Sequence, residues 1–564
     1  MTLLIPEKIA IEKWADLQPL YEKLLDFGFS TYDDFELWLK SVDMLFSFID
    51  EEHAWRYIRK SLDTNDEKAA ASFDSFLNEI LPHVQVYKNK INQKYYNAPF
   101  RSSIPDTLKN YDRTVEKDIG LFCKANVELE TKCSELAAKY MEISGKTTIE
   151  WEGKTITPRQ ASGYLQEPNR DVRQAVWTRL AERRLKDYDE ISDIFDRLVL
   201  MRHEISNNAG FNTYTDYIYK SLGRFDYGRK ECEEFHAAVE SVVKPLWLEI
   251  LANRRQKLGL DSLRPWDLDV DEKFRPPLSP FGSGDELIDK TLSLFNAMDE
   301  QFYGFVYKMK TDNLFDVSSR IGKAPGGFNY PLSVTGAPFI YMNAAEMHHD
   351  IMVITHELGH AFHTFLSFQL PYRFQAEVPS EVAELASMSM ELFASDYWNS
   401  FYSSQEDIRR ALYEELAGIV RTLIWTACID AFQHWVYDNP FHNREAREKA
   451  WTAILLRFQG EPLDWTGLEN FRKGSWQRQL HIFEVPFYYI EYGIAQLGAL
   501  QLWKNFKSNP KETLTQYKQA LSLGYTRTVP EIYQTAGIKF DFSPNAVKEV
   551  FDFLRIEIAK LEDA

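Results

Sequence analysis

Apolar residues recur at three- and four-residue steps through four long stretches, residues 107–145, 171–208, 405–437 and 544–561, with few prolines or glycines to interrupt them. That spacing puts an apolar stripe on one side of a helix, and a stripe must be buried against another element. The fold expected is mainly α. Strand signals are sparse. Residues 148–157 read as a short hairpin turning at Glu152-Gly153. Residues 338–343 read as a strand beyond a glycine-rich loop that runs from Gly326 through Gly336. Residues 263–284, rich in proline, glycine and charge, read as an ordered loop with a strand near Trp266, Asp267 and Leu268. No internal repeat is visible. A chain of 564 residues exceeds one small core, and an N-terminal helical lobe over 1–200 followed by a catalytic lobe over 201–564 is expected.

Charge and cysteine usage remove several classes of function. With 65 Lys+Arg against 84 Asp+Glu the net charge is −19, which repels nucleic acid and anionic membranes, so neither is expected as a partner. Cys123, Cys133, Cys232 and Cys428 form no CxxC pair and read as reduced thiols of a cytoplasmic protein. The first residues lack the basic start and apolar run of a signal peptide, and no stretch is apolar enough to span a bilayer.

Chemistry concentrates in one place. Five of the twelve histidines fall in the sixteen residues from His348 to His363. His356 and His360 are four apart, one helical turn, so both imidazoles share a face and can grip one zinc ion. Glu357 stands about 100° around the helix and can reach a metal-activated water without being a ligand. Ile351, Ile354, Leu358, Phe362 and Phe365 supply the helix with an apolar side. Gly359 costs about 1 kcal/mol in mid-helix relative to alanine, so another backbone is expected to pack close to it. A chance HExxH on a core helix is the bland alternative, and the histidine clustering argues against it.

Zinc with an open catalytic position takes a third protein ligand. The metzincin pattern would place glycine at 363 and histidine at 366, where this chain has His363 and Leu366. A glutamate on a following helix is the other common solution. Glu377, Glu381, Glu384 and Glu391 lie on one stripe behind Pro379, which suits a first helical turn. Glu384 is the expected ligand, with Glu381 and Glu377 orienting an imidazole. The residues alone leave Glu381 as a rival ligand.

The run HELGHAFH followed by VPSEVAELASMSME resembles the oligoendopeptidase F branch of the thimet oligopeptidase family of zinc metallopeptidases. Gly322 to Phe328, then Pro338, Phe339, Ile340 and Asn343, resemble that family's loop and strand before the zinc helix, and His481 to Gly493 resemble its substrate-binding segment. The likeness extends from about residue 150 to the C-terminus, and within the family it leans towards the bacterial Pz-peptidases. It implies Glu384 as the ligand, completing His356 and His360 around one Zn²⁺ per chain. It implies Tyr492 and His481 as donors to the oxyanion, Tyr489 or Tyr488 as a contact to the substrate backbone, and Gly327 and Phe339 beside the substrate. It also implies a prolate, two-lobed body with a small sheet beside the zinc helix and a deep central channel that admits only short peptides. The activity implied is endopeptidase cleavage of oligopeptides, collagen-derived Pro/Gly-rich ones among them, with Glu357 as general base and residues 338–343 offering a strand edge to the peptide. A terminus-dependent peptidase, a zinc-holding scaffold and a hydrolase of other amides are the competing readings. The sequence does not fix the oligomeric state.

Overall fold

The computed structural model describes residues 3–562. They are mainly helical, with a two-stranded and a three-stranded sheet among them. The chain divides into two compact units, each assembled from three stretches. One comprises Met1–Gly120, Ser279–Ile408 and Gly498–Phe540, and the other Leu121–Leu278, Arg409–Leu497 and Asp541–Ala564. This interleaved division differs from a single cut near residue 200, because the chain leaves each unit and returns to it; helical periodicity shows where a helix runs but not which others it joins.

The four periodic stretches are helical. The first two each break once, giving Lys109–Leu121 with Asn126–Gly145 and Arg170–Lys186 with Tyr188–Asn208, while Gln405–Asp438 and Pro544–Glu562 are continuous. The hairpin forms as β1 (Ile149–Trp151) against β2 (Lys154–Ile156), in register Trp151 to Lys154. Glu152 and Gly153, both at positive φ, make the two-residue turn whose twist matches its strands. No strand forms at Trp266. Pro265–Asp267 is a 3₁₀ turn, held because Asp267 accepts from the Arg264 N–H and from the guanidiniums of Arg170 and Arg173.

The three-stranded sheet belongs to the first unit and places the chemistry. Its order is β3 (Phe315–Ser318), β5 (Ala337–Ala344), β4 (Phe328–Leu332), with β5 parallel to β3 and antiparallel to β4. Two expectations change here. The glycine-rich stretch contains strand β4, because Phe328, Asn329 and Tyr330 can pair with residues 339–341 across the tight turn at Gly336. Residues 338–343 then lie in the central strand, and the exposed edge on that side of the sheet passes to β4. The sheet rests on the Tyr32–Leu62 helix, where Tyr341 donates to the Ser61 carbonyl at 2.9 Å and Tyr330 reaches His53 at 2.9 Å.

Candidate metal centre and aromatic cluster

Helix His348–Ser367 follows β5 directly. Asp350 turns back to accept from the N–H groups of Ala345 and Met347, satisfying donors that a helix start would leave open. A second helix, Ser380–Ser395, crosses it in the opposite sense. Gly359 is where the two touch. A Cβ placed there would stand 2.5 Å from Ser387 Cα and 2.6 Å from the Ala386 carbonyl oxygen, so only glycine admits this approach. The close backbone contact expected from the sequence is therefore present.

That approach assembles a possible ligand set. Glu384 Oε2 lies 3.4 Å from His356 Nε2 and 3.8 Å from His360 Nε2, and the three ligand atoms sit within 4.8 Å of one another. Ser387 donates to the same carboxylate oxygen at 3.0 Å. His356 Nδ1 donates to Glu391 at 2.5 Å, so in the neutral ring the lone pair is on Nε2, facing Glu384 and His360. His360 is hydrogen-bonded to the Ala383 backbone. The partner of the first imidazole is thus Glu391, two turns beyond Glu384, and the expectation of Glu381 and Glu377 in that role is corrected. The helices are antiparallel, so the earlier histidine meets the later acid. Glu377 precedes the helix, Pro379 is its N-cap residue, and Glu381 lies buried with its carbonyl accepting from Tyr533.

The electrostatics fit a cation. Burial opposes charge on His356, but the Glu391 hydrogen bond and the carboxylates of Glu391, Glu384 and Glu357 overcome it and raise its pKa to about 9. Burial, with His356 and His363 nearby, holds His360 well below its ordinary value. The pair thus carries a single positive charge, on His356, facing three acidic side chains, where a dication would satisfy the same acids with both imidazoles neutral. Burial raises the pKa of Glu357 to about 7 against the pull of His356, and Glu384 and Glu391 add to the rise. Its backbone carbonyl accepts from Asn329 of β4 at 3.1 Å, which ties the sheet edge to the motif. Of the other clustered histidines, His348 bonds to Tyr402 at 2.9 Å and His363 is core, its pKa lowered to about 4 by burial. Gly327 lies exposed before β4, and Phe339 is core, packed edge-on to Trp55.

The second unit brings together the other expected residues. His481 stacks with Tyr488 at 5.9 Å and meets Tyr489 at 5.0 Å and Tyr492 at 5.7 Å between ring centroids. The turn that aims them is strained, with Phe487 at φ 65°. Gln433 accepts from the Phe487 N–H at 2.6 Å, and Arg224 donates to its carbonyl while pairing with Glu491 at 3.0 Å. A further partner was not foreseen. Trp425 Nε1 donates to Gln479 Oε1 at 2.8 Å, which turns the Gln479 amide N–H onto His481 Nδ1 at 2.7 Å. His481, kept neutral by burial, then carries its proton on Nε2. Only the side-chain types at 425 and 479 signalled this, and nothing in their spacing does.

A second group that could hold a metal, Cys232, Asp430 and His434, lies buried in this unit. Its atoms face one another: Asp430 accepts from His236 at 2.8 Å, and the Tyr219 hydroxyl bridges Cys232 and His434 at 3.2 and 3.1 Å. Burial keeps Cys232 as a thiol, a poor ligand.

Two imidazoles one turn apart, a carboxylate from an antiparallel helix and a buried glutamate beside the first histidine are the constellation of a metallopeptidase with two histidines and one glutamate as ligands. The chain belongs to peptidase family M3: the family's model matches residues 163–550, and that of the M3 N-terminal domain matches residues 9–122. It is accordingly a metal-dependent peptidase. An oligoendopeptidase F homolog of Lactococcus lactis subsp. lactis (strain IL1403) is 23% identical over 505 residues, 84% of this chain and 79% of that one. A solved structure of Pz-peptidase A with an inhibitor superposes with a TM-score of 0.89 at 26% identity, covering 99% of this chain and 98% of that one. The oligoendopeptidase F of Enterococcus faecium, 14% identical with a TM-score of 0.62 over 98% of this chain and 97% of that one, shares the fold. Among the described residues no helix is long and apolar enough to cross a membrane.

Proposed function

We propose that this peptidase holds one zinc ion per chain on His356, His360 and Glu384 and cuts internal bonds of short peptides with Glu357 as general base. The observation that carries the reading is the convergence of the two Nε2 atoms on Glu384 Oε2, at 3.4 and 3.8 Å, with Glu391 fixing the tautomer of His356. When bound, the zinc ion supplies a Lewis acid that makes hydroxide available near pH 7. Glu357, buried and with a pKa near 7, accepts the proton of the attacking water and returns it to the departing amine. The Tyr492 hydroxyl and the Nε2–H of His481 donate to the oxygen that gains charge, and Tyr489 holds the peptide backbone. The edge of β4 offers main-chain groups to an extended peptide. The cytoplasm is the compartment proposed, supported by the four free cysteines. Collagen-derived, Pro/Gly-rich peptides are the substrate class suggested by resemblance to the Pz-peptidases.

The test is a fluorogenic peptide of about ten residues blocked at both ends, a length suited to an extended strand-like register, assayed with and without a chelator. Internal cleavage that the chelator stops and zinc restores is expected, together with Glu357→Gln protein that keeps its zinc and loses at least about 10²-fold in turnover. Cleavage only of peptides with a free terminus would transfer the reading to an exopeptidase. Normal turnover by Glu357→Gln would remove the general-base role.

A further inference from the structure

The second unit contains a cavity of about 720 Å³ whose wall includes Arg184, Arg421, Arg478, Trp425 and Tyr489. Its charge is unbalanced. The carboxylates on the wall among the described residues are Asp187 and Asp269. Asp187 is engaged by Arg183, and Asp269 by Arg421 at 2.8 Å. Arg184 and Arg478 have neither a side-chain hydrogen bond nor an ion pair among the described residues. The guanidinium of Arg478 lies over the Trp425 ring, 4.3 Å from its centroid. All three arginines are solvent-exposed. The chain carries a net charge of −19, so a recess with cations lacking counterions runs against the composition of the whole.

Arg478 is solvent-exposed, and surrounding protein, then Arg421 and Arg184, lower its pKa, with Tyr489 and Asp269 acting the other way. A planar guanidinium fork beside a second one, with no carboxylate paired to either, suits a carboxylate ligand. The cavity shares one residue with the aromatic cluster and another with its support. Tyr489 is on its wall, and Trp425, also on its wall, orients His481 through Gln479. The terminus-dependent peptidase considered from the sequence lacked an identifiable basic group, and these arginines supply one.

We infer that this cavity is a subsite for a carboxylate of the peptide substrate, clasped by Arg478 and Arg184, with Arg421 adding charge from its place on Asp269. The inference rests on the proposed contact of Tyr489 with substrate. The carboxylate comes either from the free C-terminus of the peptide or from an Asp or Glu side chain, and both present the same group to the guanidiniums. The enzyme then favours acidic or C-terminally free oligopeptides among those it cuts, without requiring a terminus for catalysis.

Binding separates this from the peptidase reading. Four versions of one ten-residue peptide, bearing C-terminal acid or amide and Glu or Gln near that end, are titrated into zinc-loaded, full-length Glu357→Gln protein. At least one acid-bearing version is expected to bind about tenfold or more tighter than the neutral amide, the scale of a charge-assisted hydrogen bond. The tighter version identifies the source of the carboxylate. Adding Arg478→Gln should bring the ratio close to one and leave affinity for the neutral amide unchanged, and Arg184→Gln should do so in part. Thermal melting of both variants verifies folding. Equal affinities for all four peptides, or a preference that survives in both folded arginine variants, would overturn the subsite. The same peptides are given to the native enzyme. Cleavage without acid preference in binding sinks the subsite alone, and acid-selective binding without cleavage sinks the peptidase reading alone.

Discussion

The ligand group and the aromatic cluster are built in opposite ways. His356, His360, Glu384 and Glu391 lie on two regular helices whose period brings them to one face, locked by the contact at Gly359. His481, Tyr488, Tyr489 and Tyr492 lie across a four-residue helix, a strained turn at Phe487 and the start of another helix. Their positions are set by Arg224, Gln433 and Trp425, all distant in sequence, and by Gln479, two residues before His481. A helix-borne site stores its geometry in spacing, and a turn-borne site stores it in partners. Lesions in the first should be read in metal content, and lesions in the second in turnover with metal retained.

Glu384→Ala should have the largest effect. It leaves two imidazoles and no carboxylate where a catalytic zinc takes three protein ligands. Metal bound after dialysis should fall towards zero, by more than the 10–100-fold typical of losing an outer partner of a ligand. Unchanged zinc content, measured by elemental analysis of folded protein, would pass the ligand role to another acid such as Glu381 and break the helix-borne half of the comparison.

Tyr492→Phe is the counterpart from the cluster. Zinc content should be that of the native chain, while kcat falls by about 2.7–4 kcal/mol in barrier, the cost of removing one oxyanion donor. A change confined to KM would mean that the hydroxyl positions substrate and does not stabilise the charge that develops.

What could be read from the sequence divides along the same line. The helices, the pairing of His356 with His360, the place of Glu357 and the need for glycine at 359 all follow from a 3.6-residue period and were legible. The acidic stripe was legible too, but the sense of the crossing was not. Periodicity is blind to helix direction, so Glu381 and Glu377 were favoured over Glu391, the one an antiparallel crossing brings to His356. Strand β4 was hidden because Gly326 and Gly327 precede it and Gly336 closes it, so that glycine content masked its pairing with β5. The aromatic run was visible as residues but not as a site, since its geometry comes from Trp425 and Arg224, on elements far away along the chain.

Glu391→Gln sharpens the ligand half. The amide keeps a hydrogen bond to His356 but removes a negative charge, so the imidazole becomes a weaker ligand. Zinc affinity should fall by about 10–100-fold, measured by competition with a chromophoric chelator. Turnover at saturating zinc should recover. An affinity within about twofold of native, well under that range, would show that Glu391 is a neighbour without a tuning role.

Gln479→Glu should give the smallest and most specific effect. In the native chain Gln479 donates to His481 Nδ1, so the neutral ring presents Nε2–H. A carboxylate at 479 accepts instead. It draws the proton to Nδ1, raises the pKa of His481 and leaves Nε2 of the neutral ring with a lone pair where the proposed role requires a donor. Below the raised pKa both nitrogens carry protons and donation persists. Above it donation is lost, so kcat/KM should fall as pH rises through that pKa. The fall should be by up to about tenfold, the scale of one hydrogen bond of ~1 kcal/mol. The native enzyme, whose donor survives in the neutral ring, should lack that descending limb. Parallel pH profiles for the two, with equal zinc content, would show that Nε2 of His481 does not donate in the reaction. The cluster's contribution would then rest on its tyrosines alone.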